Sequence, residues 1–500
     1  MGKQTSWCSR APRRWAPTLV VAFISLIALA SAPAAAQAEP LTLPLHVSEE
    51  RSLFDQFGYA PEYTRNVPAF DSQDRPYIRS RTADQDGTSF VNVLQDGGWA
   101  RLSILVALTA AYPGFEATVG AGGYASDRVV FDSQDRAYTV LTIRLEEGDL
   151  RNVLLYSLDR CATWRVCELP FGDRQPRYDD HNRGNVACEY FTGHNALDGP
   201  PFVAVWREVS DWTGHWATRN ELWVLQPSFD GETLVIPPAT LVTDRFLGML
   251  QAAGGASFAA TVGEKTYFVW TQVTSIPSRG TPTWVGVFDH ATRAVRARQR
   301  LCYAQPGNDV HATPGITIDG TGTLHVVAGA HNRPLLYTHS LAPRDATVWS
   351  TPAKVLDSGF VSQASDTDGV ARLSYVALAS DELDTVHLVC RQVTNRGGLY
   401  AGQGYHRLIA LSRPAGGAWS KARIIAVCSD GPGYVNYHQK LGVDHKGDLY
   451  LSFNVYKAAD PLWLRPLRRF RQRMVLHSTN GRSWEFATTE TFRAGLLPAP

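Results

Sequence analysis

The sequence lacks the features that mark membrane-spanning and nucleic-acid-binding proteins. Beyond residue 40 it contains no run of about 18 apolar residues, the length that a membrane-spanning helix needs. Its charge is nearly balanced, with 48 Lys and Arg against 47 Asp and Glu. A balanced chain argues against a general nucleic-acid binder, which carries a basic surface. We therefore expect neither stable membrane insertion nor a nucleic-acid partner.

Cysteine is also scarce, with seven residues and neither a CxxC pair nor the His and Cys spacing of a zinc site. Cys161 and Cys167 are the closest candidate pair for a disulfide, which a secreted chain would permit. The run Asp179, Asp180 and His181 is a poor metal site, because three adjacent side chains rarely point at one ion. The sequence requires no cofactor and leaves room for a structural metal ion.

The N-terminus has the pattern of a secretory signal peptide. Four basic residues precede an apolar run from about Ala16 to Ala30, and Ala36-Gln37-Ala38 has the small-x-small form of a cleavage site. We predict that residues 1–38 are removed and that residues 39–500 form one secreted domain, periplasmic or extracellular. Removing four of the 48 cations leaves 44, against 47 acidic residues, so the mature chain is slightly acidic. We expect it to be a monomer.

Helical periodicity is rare, and short alternating runs rich in Val, Tyr, Trp and Thr are typical of an all-β protein. One segment recurs, an Asp- or Gly-rich turn followed by a strand that opens on an aromatic residue or His. Its anchors are Tyr77, Tyr138, Phe202, Tyr267, His325, His387 and Tyr450, at steps of 61, 64, 65, 58, 62 and 63 residues. Seven such units, each long enough for four strands, predict a seven-bladed β-propeller of four-stranded antiparallel blades. We interpret His325 and His387 as packing residues.

Two fragments resemble the Asp-box turns of sialidase-like propellers. They run from Ser157 to Trp164 and from Ser478 to Trp484, and both depart from the motif. The first has Cys161 where the motif has Gly, and the second is one residue short. In that motif the aromatic residue packs between sheets, so the fragments indicate structure and not chemistry.

Two neighbouring hairpins carry polar residues in matching places. His311 and His331 flank a turn centred near residue 321, and Tyr375 and Arg391 flank the turn "DELD", centred at residue 383. In a propeller, a residue before the inner strand and one after the returning strand lie on the same rim. We therefore expect these four side chains to meet at one mouth of the central channel.

These residue types suit β-elimination of a uronic-acid polymer. That reaction needs a cation for the carboxylate, a base for the α-proton and an acid for the leaving oxygen. Arg binds carboxylates in a bidentate manner and stays charged. His titrates near neutral pH and can be the base, while Tyr can donate a proton or, if its pKa is lowered, accept one.

The segment from Asn308 to Ser340 resembles the signature segment of the BNR-repeat-containing family, which includes the propeller-type ulvan lyases. The matching positions are Asp309, His311, Pro314, Asp319, Gly320, Gly329, His331, Asn332 and Tyr337. Tyr375 and Arg391 match the next blade of that family, but Val376 stands where the family usually has Pro. The resemblance covers about 90 residues, and it implies a propeller fold and a polysaccharide lyase.

By this resemblance, the catalytic residues would be His311, Tyr375, His331 and Arg391. His311 would be the base and Tyr375 the acid, or the reverse, while Arg391 and His331 would neutralise the uronate. Predicted substrate-binding residues are Asn332 and Tyr337 from the motif, and His181, Tyr124, Gln251 and Tyr437 from the same offset in other blades. The expected partner is an anionic polysaccharide. A sialidase-like glycoside hydrolase and a non-catalytic carbohydrate-binding propeller remain the alternatives.

Overall fold

Seven four-stranded antiparallel blades follow one another along the chain, and a parallel bridge between the third strand of the sixth blade and the first strand of the seventh joins those two blades into one sheet. The computed structural model describes residues 45–47, 67–81, 89–113, 128–145, 150–170, 186–214, 217–248, 250, 256–329, 333–355, 373–394, 405–428, 434–456 and 472–497. The sheets are arranged as a seven-bladed β-propeller, which confirms the predicted fold. The propeller lies within a compact unit that spans Leu41–Pro500.

The blades are numbered in chain order, and their strands are as follows. Blade 1 contains β2 (Ala69–Phe70), β3 (Pro76–Arg81), β4 (Ser89–Gln95) and β5 (Gly98–Ser103); blade 2 contains β6 (Val130–Phe131), β7 (Ala137–Arg144), β8 (Leu150–Ser157) and β9 (Arg165–Leu169). Blade 3 contains β10 (Val186–Cys188), β11 (Val203–Gly214), β12 (Ala217–Leu225) and β15 (Thr240–Phe246), with a separate hairpin of β13 (Ser228–Asp230) and β14 (Thr233–Val235). Blade 4 contains β16 (Ala259–Val262), β17 (Lys265–Thr271), β18 (Thr281–Asp289) and β19 (Ala294–Ala304).

The remaining strands complete the ring. Blade 5 contains β20 (Gly315–Ile318), β21 (Leu324–Ala328), β22 (Leu336–His339) and β23 (Ala353–Lys354); blade 6 contains β24 (Leu373–Ser380), β25 (Val386–Thr394), β26 (Tyr405–Arg413) and β27 (Arg423–Cys428). Blade 7 contains β28 (Tyr434–Val443), β29 (Leu449–Tyr456), β30 (Gln472–Ser478) and β31 (Glu485–Phe486). Among the described residues outside the blades are β1 (Leu45–Val47), which pairs in parallel with β27, and the α-helices α1 (Leu105–Ala111) and α2 (Thr489–Gly495).

The turn between the first and second strands has the same construction in five blades. In blade 2, Asp132 Oδ1 accepts the N–H groups of Gln134 and Arg136, and its Oδ2 accepts the hydroxyl of the anchor Tyr138 (2.7 Å). The equivalent pairs are Asp71–Tyr77, Asp319–His325, Asp381–His387 and Asp444–Tyr450. All five anchors are buried, so each polar tip needs a partner, and the turn carboxylate six residues earlier supplies it. His325 and His387 are confirmed as buried packing residues, and they also form this hydrogen bond.

Each pair of neighbouring blades encloses its own apolar cluster. Between blades 3 and 4, for example, the ring of Phe202 lies 5.5 Å from that of Phe268, which stacks on Trp270 at 5.2 Å. Fully burying a large apolar side chain stabilises a fold by about 1.5–3 kcal/mol, so these clusters supply the main cohesion between blades. The cluster between blades 7 and 1 closes the ring and includes Phe492 of helix α2.

Polar contacts reinforce the closure between blades 7 and 1. His445 Nδ1 lies 2.7 Å from Asp74 Oδ1, and Lys446 Nζ donates to the carbonyl of Gly495 (2.6 Å). The N–H of Leu497, beyond α2, donates to the carbonyl of Gln73 (2.9 Å). The C-terminal segment therefore binds the first turn of blade 1. The segment before Tyr77 supplies β2, the first strand of blade 1.

The chain between β10 and β11 crosses one end of the central channel. Its Thr192 carbonyl accepts the N–H of Ser380 in blade 6 (2.8 Å). Its Ala196 N–H donates to the carbonyl of Thr261 in blade 4 (2.9 Å). Ser380 ends β24, next to the Asp turn of blade 6. Tyr375 lies five residues earlier on the same strand, about 16 Å away at 3.3 Å per residue. The predicted site is thus at the opposite end of the inner strands.

Cys161 and Cys167, the closest candidate pair for a disulfide, are not bonded, and both are free thiols. Cys161 packs between blades 1 and 2, whereas Cys167 packs between blades 2 and 3, so their side chains face opposite sides of one sheet. Cys161 has φ +71° and Gly481, in the second Asp-box-like turn, has φ +66°. Trp164 and Trp484 are buried, as expected of that motif. No helix in the described ranges is long and apolar enough to cross a membrane.

Candidate active site

A short 3-10 turn places His311 at the entrance to blade 5. The turn spans Val310–Ala312, directly before β20, and the Asp309 side chain caps it by accepting the backbone N–H of His311 (2.9 Å). A residue before proline avoids the helical region, and Thr313, before Pro314, is extended with φ −62° and ψ 121°. The local sequence thus ends the turn and starts the inner strand just after His311.

Asp309 also binds the imidazole of His311. Its Oδ1 atom lies 2.7 Å from His311 Nδ1, and only 13% of the His311 side chain and 4% of the Asp309 side chain are exposed. Neutral imidazole carries one proton, and a proton on Nδ1 is the one that this carboxylate accepts. The pair therefore leaves the lone pair of neutral His311 on Nε2.

Tyr375 lies in a β-bulge of the inner strand of blade 6. The register between β24 and β25 shifts between Ser374 and Ala377, so Tyr375 and Val376 are outside the regular ladder. Tyr375 has φ +64°, a left-handed conformation that is rare for a bulky residue. Bulges of this kind redirect side chains and are frequent beside active sites. Here the phenol ring lies with its centroid 6.0 Å from that of His311.

Arg391 covers the phenol ring of Tyr375. It pairs with Ser374 across β24 and β25, and its Cζ atom lies 4.1 Å from the ring centroid. A cation over an aromatic face is attracted by the negative charge of the ring face. Arg391 and Tyr375 are both 4% exposed. The structure therefore brings together three of the four predicted catalytic residues, from two adjacent blades.

Apolar side chains from other blades form a wall behind the phenol. Leu247 follows the last strand of blade 3, Val273 follows β17 of blade 4, and Val310 lies in the turn beside His311; all three pack with Tyr375. A wall of this kind lowers the local dielectric constant, which strengthens the interactions of nearby charges. Four blades thus contribute to the surroundings of Tyr375.

Several predicted site residues lie outside the described residues. They are His331, Asn332, His181, Tyr124 and Gln251. Tyr437 belongs to β28, but its side chain is also outside the described set. Asp179 and Asp180 are not described either. Among the side chains that the structure describes, no group of three or more His, Cys, Asp or Glu is arranged to hold a metal ion.

Tyr337 lies inside the propeller, on β22. Its hydroxyl is 2.8 Å from Nδ1 of His325, and its ring packs edge-on against Trp419 of blade 6 (5.2 Å). Burial raises the pKa of Tyr337, so the phenol stays protonated. These contacts connect Tyr337 to the Asp turn of blade 5, and its predicted contact with substrate stays a prediction.

Gln439 is a site neighbour that the sequence did not predict. It is fully buried on β28 of blade 7, and its amide Nε2 donates to the carbonyl of Tyr375. The register of β28 against β29 shifts around it, between Tyr437 and Lys440. A register shift leaves no periodic signal, and the strand "YVNYHQKLGV" does not show which polar residue points inward. The contact is therefore visible only in the tertiary structure.

The comparison with protein families agrees with the resemblance seen in the sequence. Residues 285–460 match the family described as "BNR repeat-containing family member". This range contains His311, Tyr375 and Arg391. No curated protein matches the chain.

Solved structures that resemble the chain include a polysaccharide lyase, an α-L-arabinofuranosidase and a sialidase. The polysaccharide lyase Uly1 is 15% identical with a TM-score of 0.34, and the match covers 47% of this chain and 55% of that one. The chain thus spans about half of that lyase. An α-L-arabinofuranosidase, Arb93A, from Fusarium graminearum is 12% identical with a TM-score of 0.36, covering 66% and 88%. A Trypanosoma rangeli sialidase is 12% identical with a TM-score of 0.36, covering 78% and 58%.

Proposed function

We propose that this protein cleaves a uronate-containing anionic polysaccharide by β-elimination. The observation that carries the proposal is the convergence of His311, Tyr375 and Arg391 from two blades. These are the three residue types that the reaction needs, and His311 and Arg391 each lie beside the phenol ring of Tyr375. The family match includes all three residues, and the resemblance of that segment to ulvan lyases supports the same reaction.

The proposed first step is neutralisation of the substrate carboxylate by Arg391, aided by His331. The guanidinium of Arg391 lies over the Tyr375 ring, with Cζ 4.1 Å from the centroid, and a guanidinium can bind a carboxylate through two N–H groups at once. Neutralising that charge acidifies the proton on the carbon beside the carboxyl group. The low-dielectric wall of Leu247, Val273 and Val310 strengthens this effect.

The second step transfers two protons. Nε2 of His311 removes the acidified proton, and the imidazolium that forms is stabilised by Asp309 through Nδ1. The electron pair left on that carbon forms the new C=C bond as the C4–O bond breaks. Tyr375 donates its phenolic proton to the departing oxygen. Asp309 favours His311 as base and Tyr375 as acid over the reverse assignment.

The test is an assay of the mature protein against a panel of uronate polysaccharides. Unsaturated uronate is followed by its ultraviolet absorbance, and new reducing ends are measured in parallel. We expect both signals for the wild type, and loss of both in His311→Ala and Tyr375→Phe. His339→Ala, on the third strand of blade 5, and Tyr303→Phe, on the outer strand of blade 4, are matched controls that should retain activity.

Three results would contradict the proposal. Near wild-type turnover in His311→Ala or Tyr375→Phe would remove that residue from the mechanism. New reducing ends without ultraviolet absorbance would indicate hydrolysis, as in a sialidase-like enzyme. Binding of the polymer without either signal would indicate a carbohydrate-binding propeller.

A further inference from the structure

The bulge at Tyr375 is an unusual conformation that needs support from its surroundings. Tyr375 is the only aromatic residue among the described non-glycine residues with positive φ. Such a conformation costs conformational energy for a side chain of this size, and it persists only where neighbouring contacts fix it. An extended backbone at this position would point the phenol elsewhere, because successive side chains of a strand alternate between its two faces.

Two partners outside blade 6 bind the carbonyls of the bulge. The carbonyl of Val376 accepts the N–H of Ala256, which precedes blade 4, at 3.1 Å. The carbonyl of Tyr375 accepts the amide of Gln439, from blade 7. Nε2 of Gln439 also lies 3.5 Å from the carbonyl of Val389 on β25. Gln439 thus bridges both inner strands of blade 6 at the level of the bulge.

The burial of Gln439 indicates a specific role for its amide. A buried amide without hydrogen bonds is costly, whereas an apolar residue of the same size would be tolerated at a position that only fills space. One acceptor of the Gln439 amide is the carbonyl of Tyr375, the residue whose backbone is left-handed.

We propose that Gln439 is a positioning residue that holds the bulge and so directs the phenol of Tyr375 toward His311 and beneath Arg391. Its role in turnover rests on the β-elimination proposed above, whereas its role in the conformation of Tyr375 does not. Gln439 acts through Tyr375, and the proposal gives it no contact with substrate.

The main test is Gln439→Met, which keeps the length of the side chain and removes the donor. We expect kcat to fall about 10- to 100-fold with KM changed by less than about threefold, because a displacement near 1 Å of a catalytic group has effects of that size. The matched control is Gln226→Met in blade 3, whose amide donates to the carbonyl of Pro200 (2.6 Å). This control should keep the wild-type kcat.

A second variant, Gln439→Glu, provides a pH-dependent readout. A protonated carboxyl group can donate to the Tyr375 carbonyl, whereas a carboxylate repels it, and burial raises the pKa of such a group. The ratio of the kcat of this variant to that of the wild type should therefore fall as pH rises. A ratio that does not change with pH would overturn the proposal, because a space-filling role predicts no such trend.

Crystal structures separate the conformational role from the catalytic one. In Gln439→Met, φ of Tyr375 should leave the left-handed region. Retention of φ near the wild-type value, or a kcat within about twofold of the wild type, would overturn the proposal. If the wild type releases no unsaturated product from any uronate polymer, the proposed function fails, and the crystal structure still decides whether Gln439 holds the bulge.

Discussion

The guanidinium of Arg391 lies over the phenol ring of Tyr375, with its Cζ atom 4.1 Å from the ring centroid. This contact connects the residue proposed to bind the carboxylate with the residue proposed to protonate the leaving group. Lys would keep the charge but would lose both the planar guanidinium over the ring and the bidentate geometry.

We therefore predict that Arg391→Lys lowers kcat/KM for the polysaccharide about 100-fold, the range seen when one preorganised donor is removed. The measurement is the initial rate of unsaturated product at several substrate concentrations. The control is Arg165→Lys, because Arg165 is half-exposed on the outer strand of blade 2. Its kcat/KM should equal that of the wild type. Equal rates for Arg391→Lys and the wild type would mean that only the charge of Arg391 matters.

The bond between Asp309 and His311 gives a second prediction. In Asp309→Asn the amide can donate to Nδ1, which places the imidazole proton on Nε2 and removes the base. We expect kcat to fall about 10²- to 10⁴-fold with little change in KM, the range attributed to general base catalysis.

The matched control for Asp309→Asn is Asp345→Asn, since Asp345 also accepts a backbone N–H two residues on, from Thr347 (2.7 Å). It lies on blade 5 beyond β22 and should leave kcat unchanged. If Asp309→Asn retained full turnover, His311 would not depend on its tautomer, and Tyr375 would become the better candidate for the base.

The pairing of Asp319 with His325 predicts a stability effect. His325→Phe keeps an aromatic ring in the core but leaves the carboxylate of Asp319 without this partner. We expect the free energy of unfolding to fall by about 1–3 kcal/mol, the cost of a buried group that loses its hydrogen bond. Denaturant unfolding at neutral pH measures it, with His339→Phe as control, because His339 bonds a Ser350 hydroxyl rather than a carboxylate.

The same pair predicts part of the acid sensitivity. Burial opposes the charge on Asp319, but hydrogen bonds from His325, Thr321 and Thr323 outweigh it and lower its pKa from 3.8 to about 2. A lowered pKa contributes stability that is present above the unfolded value and is lost as pH falls through the folded one. Between about pH 4 and pH 2, Asp319→Asn should therefore lose less stability than the wild type. If the stability of Asp319→Asn and of the wild type fell equally over this pH range, the prediction would be contradicted.

The closure between blades 7 and 1 should weaken as pH rises. Burial raises the pKa of Asp444 from 3.8 to about 7, and the charges of Asp74 and Asp448 add to this. Burial opposes the charge on His445, but its bond to Asp74 outweighs this and raises its pKa. A raised pKa contributes stability that is complete below the unfolded value and is lost as pH rises through the folded one.

We therefore predict that Asp444→Asn gains stability relative to the wild type as pH rises from about 4 to about 7, and no more above that. The Asn oxygen can still accept the N–H groups that Asp444 accepts from Lys446 and Asp448. The measurement is the difference in Tm at pH 5 and pH 8, expected to be about 2 °C or more. A constant difference would show that Asp444 is ionised throughout.

The sequence predicted those features of the fold that depend on short separations along the chain. A turn Asp and its anchor six residues later, such as Asp132 and Tyr138, form their bond within one hairpin. Because that geometry is local, it recurs in five blades, and the seven anchor repeats predict seven blades. The candidate disulfide pair did not form, because closeness in sequence does not show which face of the sheet Cys161 and Cys167 occupy.

Part of the site could also be predicted from the sequence. His311 lies before an inner strand, and Arg391 lies on the strand that follows Tyr375, so the propeller geometry brings these three residues to one end of two adjacent blades. The bulge at Tyr375 could not be predicted, because alternation of residues along a strand assumes an unbroken register.

Sequence alone thus determined the all-β class, the number of blades and the residue types that meet at the site, since each depends on local hydrogen bonding and a regular period. Only the tertiary structure decided how the phenol of Tyr375 is aimed. Its left-handed backbone is bound by Gln439, which lies 64 residues further along the chain in the next blade. A contact at that separation depends on how whole blades pack, and no local pattern in the sequence encodes it.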